Sequence, residues 1–253
     1  MSKRTKSPDG DTLSPEVLQD LERHAEELLA IFDPGSDRKA KWRRPFTIEY
    51  CGVPASGKTT AQGITRHFFR RDGFVVHAPQ EGAEAIEGPR PLPGYNLHTA
   101  EWAIIHARAL PGDKRFHVGV FDRAIYDGIT RMEYYLAEGI ISEEERAIIE
   151  GYYLLPYTAG LFDMHVFLIC SPDTTLARKR EVELLQKPGK TLNTTALNKL
   201  HAAHRRVWER LGLEEKPNFL WLDTDDLTRR EVTERILDTA LDLFRQRLKR
   251  EGM

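Results

Sequence analysis

Cysteine is almost missing from this chain: Cys51 and Cys170 are the only two in 253 residues. Two thiols cannot build the disulfide framework on which small secreted domains depend. Each closes an apolar run, so both read as small buried hydrophobes with no disulfide or metal role. There is no apolar run of membrane-spanning length and no secretory signal, so the expected setting is the reducing cytoplasm, away from membranes. Charge of one sign is not in excess either. Lys and Arg number 37 against 39 Asp and Glu, a formal net charge of -2, which gives no global basic field and argues against stable nucleic-acid binding. Internal repeats are absent. The nine histidines are scattered; His201 and His204 share a helix with Arg205 and Arg206, a polar face and not a metal site.

What the chain does have is enough apolar residues, 40% of the total, for one large α/β domain, and one run that outweighs the rest. Residues 46 to 60 read FTIEYCGVPASGKTT. An apolar stretch, Phe46 to Cys51, leads into Gly52-x-x-x-x-Gly57-Lys58-Thr59, the pattern of a phosphate-binding loop between a strand and a helix. The glycines let successive amides curl into one concavity, which Val53, Pro54, Ala55, Ser56 and Thr60 complete. Lys58 adds a point charge for the β- and γ-phosphates, and Thr59 offers a hydroxyl to Mg²⁺. The helix that follows aims its positive end at the same anion. ATP and Mg²⁺ are therefore the expected ligands.

Residues 1 to 44 read as an N-terminal helical extension with a basic linker. Ser14-Pro15-Glu16 opens a helix whose apolar positions run from Val17 to Phe32. Arg38 to Arg44 is expected as a solvated connection. From residue 45 to 253, strands at 46–51, 74–77, 116–121, 164–170 and 219–222 alternate with helices. Those helices are expected to about 71 and over 97–110, 124–138, 142–157, 195–211 and 228–249, with another starting at Ser171-Pro172-Asp173. That alternation predicts a five-stranded parallel sheet covered on both faces. The Gly- and Pro-rich stretch after the second strand, through Pro93, is long for a connection, and long loops in compact domains carry function. Asp122 ends the third strand at the carboxyl edge, where such sheets bind ligands. It can hold a Mg²⁺-bound water or take a proton, and Arg123 presents a fork of donors to phosphate or substrate.

The phosphate loop, Asp122-Arg123, and Pro172-Asp173-x-x-x-x-Arg178 after the next strand together resemble the thymidylate kinase and deoxynucleoside kinase superfamily. Phe219 to Thr224 and the helix carrying Glu231, Val232 and Ile236 look like its last strand and helix. The resemblance spans roughly residues 45 to 250. It implies the P-loop nucleoside triphosphate hydrolase fold with strand order 2-3-1-4-5, and transfer of the γ-phosphoryl group of ATP to a small acceptor, first of all a nucleoside or nucleoside monophosphate. It also implies a lid at about 174–192 carrying Arg178 and Arg180, extended by Lys187 and Lys190, that delivers cations to the phosphoryl group in flight. Glu81 falls where such kinases carry the carboxylate that deprotonates the acceptor, with Glu84 and Glu87 as competitors. Arg90, Tyr95, Asn96, Trp102 and Arg108 fall where an acceptor pocket would be lined. The chain departs from the pattern in three places. Its phosphate loop lacks an acid, Asp122-Arg123-Ala124 stands for Glu-Arg-Ser, and the 131–158 segment is long. The alternatives are a kinase of another hydroxyl compound (a sugar, an antibiotic, a polynucleotide end), an ATP-gated switch, or a nucleic-acid-dependent ATPase; a homodimer is compatible with the chain.

Overall fold

The computed structural model describes residues 12–32, 42–88, 92–182 and 193–253. Its centre is a sheet of five parallel strands in the order β2-β3-β1-β4-β5, as the sequence predicts. The strands are β1 (Phe46–Gly52), β2 (Val76–His77), β3 (Val118–Asp122), β4 (Met164–Ile169) and β5 (Phe219–Asp223). Every residue of β1 and β4 is buried. Strands covered on both faces need apolar residues on both, which is why these two are mostly apolar, with Thr47, Glu49 and His165 as buried polar exceptions.

Ten helices among the described residues cover the sheet. On one face lie α1 (Pro15–Leu29), α2 (Lys58–Arg71) and α10 (Arg229–Arg250), packed on the Phe46, Ile48 and Tyr50 side of β1. On the other, α4 (Pro93–Arg108), α5 (Ile125–Ala137) and α9 (Thr194–Arg210) pack with Phe121 and Phe167. The rest are α3 (Gly82–Ala85), α6 (Glu143–Tyr153), α7 (Pro156–Ala159) and α8 (Pro172–Val182). The stretch expected as one helix over 142–157 breaks because Pro156 has no N–H to continue α6 and instead opens α7. The second strand is shorter than expected, since the Phe74 amide is bonded to the Phe69 carbonyl at the exit of α2. In α4 the helix starts four residues earlier than predicted, with Pro93 in its first turn.

Ser14 caps α1, its hydroxyl accepting from the Val17 amide at 3.4 Å. The helix ends in a tight turn over Ala30–Phe32. Leu21, Ala25, Leu28 and Phe32 are buried in the main core, so the N-terminal helix is part of the core's wall. Phe244 of α10 stacks on Phe46 at 4.9 Å, and Phe32 meets Trp42 edge-on at 4.8 Å. Each of these rings contributes about 2–3 kcal/mol by burial alone. Of the solvated linker expected over 38–44, residues 38–41 lie outside the described residues, and the expectation is corrected at Arg44. Its guanidinium binds the Asp163 carboxylate at 2.7 and 2.9 Å, at the amino edge of the sheet. An acid 119 residues away supplies the partner that turns a surface arginine into an anchor.

Candidate active site

The loop between β1 and α2 needs its glycines for two different reasons. At Gly52 (φ 135°) a Cβ would lie 2.0 Å from the Leu168 carbonyl oxygen, so no side chain fits between β1 and β4. At Gly57 (φ 96°) space is open and only the left-handed backbone selects glycine. Ala55 also has positive φ, 55°. Lys58 opens α2 and folds back so that its ammonium donates to the Gly52 and Val53 carbonyls at 2.9 and 2.8 Å. Burial, then the Arg123 charge, pulls its pKa down to about 8, against the pull of Asp122 and Asp127. Thr59 and Thr60 are exposed and line a cavity of about 770 Å³ with Pro54 to Lys58. Val53, by contrast, is buried behind the loop and contributes its backbone.

Across that cavity stand Asp122, Arg123 and Glu81. Asp122 is the last residue of β3 and pairs with Tyr50 of β1, which sets it beside the start of the phosphate loop. Its Oδ1 is buried and has no hydrogen-bond partner. Burial, reinforced by the Glu81 charge, raises its pKa to about 6, while Lys58 and Arg123 oppose the rise. Arg123 adopts φ 58°, and its Nε lies 2.8 Å from Glu81 Oε1. That contact is an ion pair whose angle is not that of a hydrogen bond. Of the three acids after β2, Glu81 alone lines the cavity; Glu84 and Glu87 point to solvent.

Glu81 is fixed from behind. Trp102 donates its indole N–H to the Gln80 carbonyl at 3.0 Å, and the Tyr95 hydroxyl donates to the Ala83 carbonyl at 2.8 Å. At Gly82 a Cβ would meet the Thr99 carbonyl at 2.7 Å, so α3 sits tight on α4. Tyr95 and Trp102 therefore brace the Glu81 segment through their polar tips. Asn96 is buried and donates to the Tyr135 hydroxyl at 2.6 Å. Arg108 does not join the site: it ends α4 beside Tyr152 and Thr158, because a helix of this length carries its last residue to the opposite edge of the sheet. Arg90 falls outside the described residues.

The two lid arginines separate. Arg178 of α8 lines the cavity and donates to the Ala55 carbonyl (3.0 Å) and to the Thr224 hydroxyl and carbonyl (2.9 Å each). Arg180 is exposed and does not line it. Lys187 and Lys190 fall outside the described residues.

Two further charged groups, Asp127 and Arg131, escape the sequence reading, and the polar face expected for His204 is corrected, since α9 turns that ring into the core. Asp127 is buried, its Oδ1 has no partner, and its other oxygen lies 3.6 Å from Arg131 Nε. Burial would raise the Asp127 pKa, but Arg123, Arg131 and Lys58 outweigh it and hold the carboxyl below its usual value. The i, i+4 spacing of Asp127 and Arg131 on α5 is the signal that was there to be read. His204 of α9 is fully buried; its Nδ1 donates to the Leu200 carbonyl at 2.9 Å, and its Nε2 has no partner. Burial lowers its pKa to about 4.

A Mg²⁺ site fits these residues, since the orphaned Asp122 oxygen and the exposed Thr59 hydroxyl are hard donors on one cavity. Among the described residues no cluster of three or more His, Cys, Asp or Glu could hold a metal unaided. No described helix is long and apolar enough to cross a membrane.

No family model matches the chain, and no curated protein sequence does. Solved structures do. A deoxyadenosine kinase from M. mycoides with bound dATP superposes with a TM-score of 0.51 at 15% identity, over 76% of this chain and 98% of that one. The same kinase with bound dCTP gives 0.51 at 14% identity, over 76% and 97%. With the phosphate loop and the strand order β2-β3-β1-β4-β5, this likeness shows that the chain has the P-loop fold seen in those kinase structures.

Proposed function

We propose that the chain moves the γ-phosphoryl group of ATP to a hydroxyl of a small acceptor, a nucleoside before other hydroxyl compounds. One observation carries this reading: a single cavity brings together Lys58 and its loop, the unpartnered Asp122 oxygen, and the Glu81–Arg123 pair. The amides at the start of α2 and the Lys58 ammonium cradle the donor's phosphates. Asp122 and Thr59 would hold Mg²⁺, which when bound neutralises charge on the phosphate oxygens. Glu81 is the carboxylate placed to accept the acceptor's hydroxyl proton as the new O–P bond forms and the bond to the ADP oxygen breaks. Arg123, fixed against Glu81, orients the acceptor or the transferring group. Arg178, lying across the phosphate loop, faces the donor.

The acceptor side favours a nucleoside over its monophosphate. Arg123 already lies against Glu81 and Arg131 against Asp127, so among the described residues these two cations are matched before any acceptor phosphate arrives. The likeness to a deoxyadenosine kinase supports the same reading at the level of fold. The test is transfer of labelled phosphate from ATP·Mg²⁺ to a panel of nucleosides, nucleoside monophosphates, sugars and antibiotics, beside the Lys58→Ala variant. That variant is expected to lose about 10³-fold or more in turnover, roughly 4 kcal/mol, with an unchanged circular dichroism spectrum. Undiminished turnover in Lys58→Ala would refute the reading.

A further inference from the structure

Glu49 sits in the middle of the central strand and is fully buried. Its neighbours Ile48 and Tyr50 face the α2–α10 layer, so strand alternation turns Glu49 toward α5. A carboxylate in such a place is strongly disfavoured unless its lone pairs are filled. They are. Oε1 accepts from the backbone amides of Ala124 (3.0 Å), Tyr126 (2.9 Å) and Asp127 (3.2 Å), and Oε2 accepts from His165 Nδ1 at 2.9 Å.

Those three amides are the ones a helix leaves unbonded at its first turn. The residue at the cap position of α5 is Ala124, which has no side-chain acceptor. A serine there would cap the helix locally; here an acid 75 residues upstream does so from the neighbouring strand. The turn it holds is strained at Arg123, which adopts φ 58°, and such a turn persists only when its surroundings fix it. The Arg123 amide, bonded to the Tyr50 carbonyl at 2.9 Å, is the other tie. From this turn project Asp122, Arg123 and Asp127. His165, wedged between the rings of Phe219 (stacked, 4.5 Å) and Tyr126 (edge-on, 4.5 Å), keeps the carboxylate from rotating.

We infer that Glu49, backed by His165, is a positioning residue for phosphoryl transfer, an inference that rests on the kinase reading above. It fixes the β3–α5 turn and so sets Asp122 and Arg123 against Lys58. It also fills the anion position at the start of α5, leaving the start of α2 as the helix end that receives phosphate.

The test is Glu49→Gln, which keeps the shape and one acceptor oxygen but removes the charge. The expected result is a kcat lowered about tenfold or more with KM for ATP and acceptor within about threefold, because only the transition-state geometry is loosened. The amides of Ala124, Tyr126 and Asp127 should exchange hydrogen faster, and adding Ala124→Ser, a local cap, should restore much of the kcat. A purely structural role would instead lower the unfolding midpoint and weaken ATP binding together. Wild-type kcat in Glu49→Gln, or a loss lying mainly in KM for ATP, overturns the inference. If that variant does not fold, His165→Asn is read in its place: the same kcat-selective loss supports the inference and an unchanged kcat overturns it. If the wild-type protein transfers phosphate to no acceptor, the kinase reading falls. Amide exchange in Glu49→Gln then decides the anchor by itself, unchanged protection at the three amides sinking it.

Discussion

Aspartates stand at both ends of the parallel sheet, and their surroundings differ in kind. At the amino edge Asp163 accepts from Arg44 Nη1 (2.7 Å) and Nη2 (2.9 Å), from Arg247 Nη1 (2.8 Å), and from the Thr47 amide (2.8 Å) and hydroxyl (3.1 Å). At the carboxyl edge Asp122 and Asp127 each keep a buried oxygen with no partner. The first arrangement ties the approach to β1, the start of β4 and the end of α10 into one clasp, and Arg247 also covers the Trp42 ring at 5.0 Å. The second leaves polar atoms waiting, at a standing loss of stability. Saturated charge holds the amino edge together; on the proposed reading the unpartnered oxygens of the carboxyl edge mark where a ligand completes the site.

Three substitutions can break or sharpen this contrast. Asp122→Asn should lower turnover by about 10³-fold, roughly 4 kcal/mol, while leaving the urea midpoint equal or higher, since a poorly partnered buried charge is removed. A fall in stability matching that of the clasp variant would erase the distinction. Asp163→Ala should behave the opposite way, losing about 3–4 kcal/mol of unfolding free energy because Arg247, only 4% exposed, keeps a buried charge. Its kcat, measured well below the melting temperature, should stay at the wild-type value. His204→Leu should act only in acid. In the folded protein the His204 pKa is depressed to about 4 from 6.5, so between those values the unfolded chain binds the extra proton and stability falls as pH falls. That loss reaches about 3 kcal/mol near pH 4 and should be missing from the leucine variant. Asp122, its folded pKa raised to about 6, works the other way: its share of stability falls as pH rises from about 4 to 6. The difference between wild type and His204→Leu in denaturation at pH 6.5 and 4.5 therefore isolates the histidine.

What could be read from the residues alone follows the range of each interaction. The phosphate loop is a local pattern and the parallel sheet follows from apolar runs separated by helices, so both were legible; the strand order came only through the resemblance to the kinase superfamily. Glu49 was not, because its meaning lies in amides beyond residue 120 that only the folded sheet brings near. Arg44 looked like part of a solvated basic run for the same reason: Asp163 is distant in the chain. Tyr95 and Trp102 were placed in the right neighbourhood, but their bracing of the Glu81 segment was not legible, since a ring on a helix gives no sign of which carbonyl its polar tip will meet. Arg108 was misplaced by ignoring the length of α4, which carries its ends to opposite edges of the sheet. Arg178 and Arg180, two apart on α8, were read together although that spacing turns side chains to different faces of a helix.

Arg178 spans more than a side chain's usual neighbourhood. Its two terminal nitrogens pin a carbonyl of the phosphate loop and the end of β5 at once. On the proposed reading both points belong to the wall that meets the donor. The guanidinium thus acts as a rivet that joins the phosphate loop to the residue after β5 through α8, so this stretch of the wall is set before anything is bound.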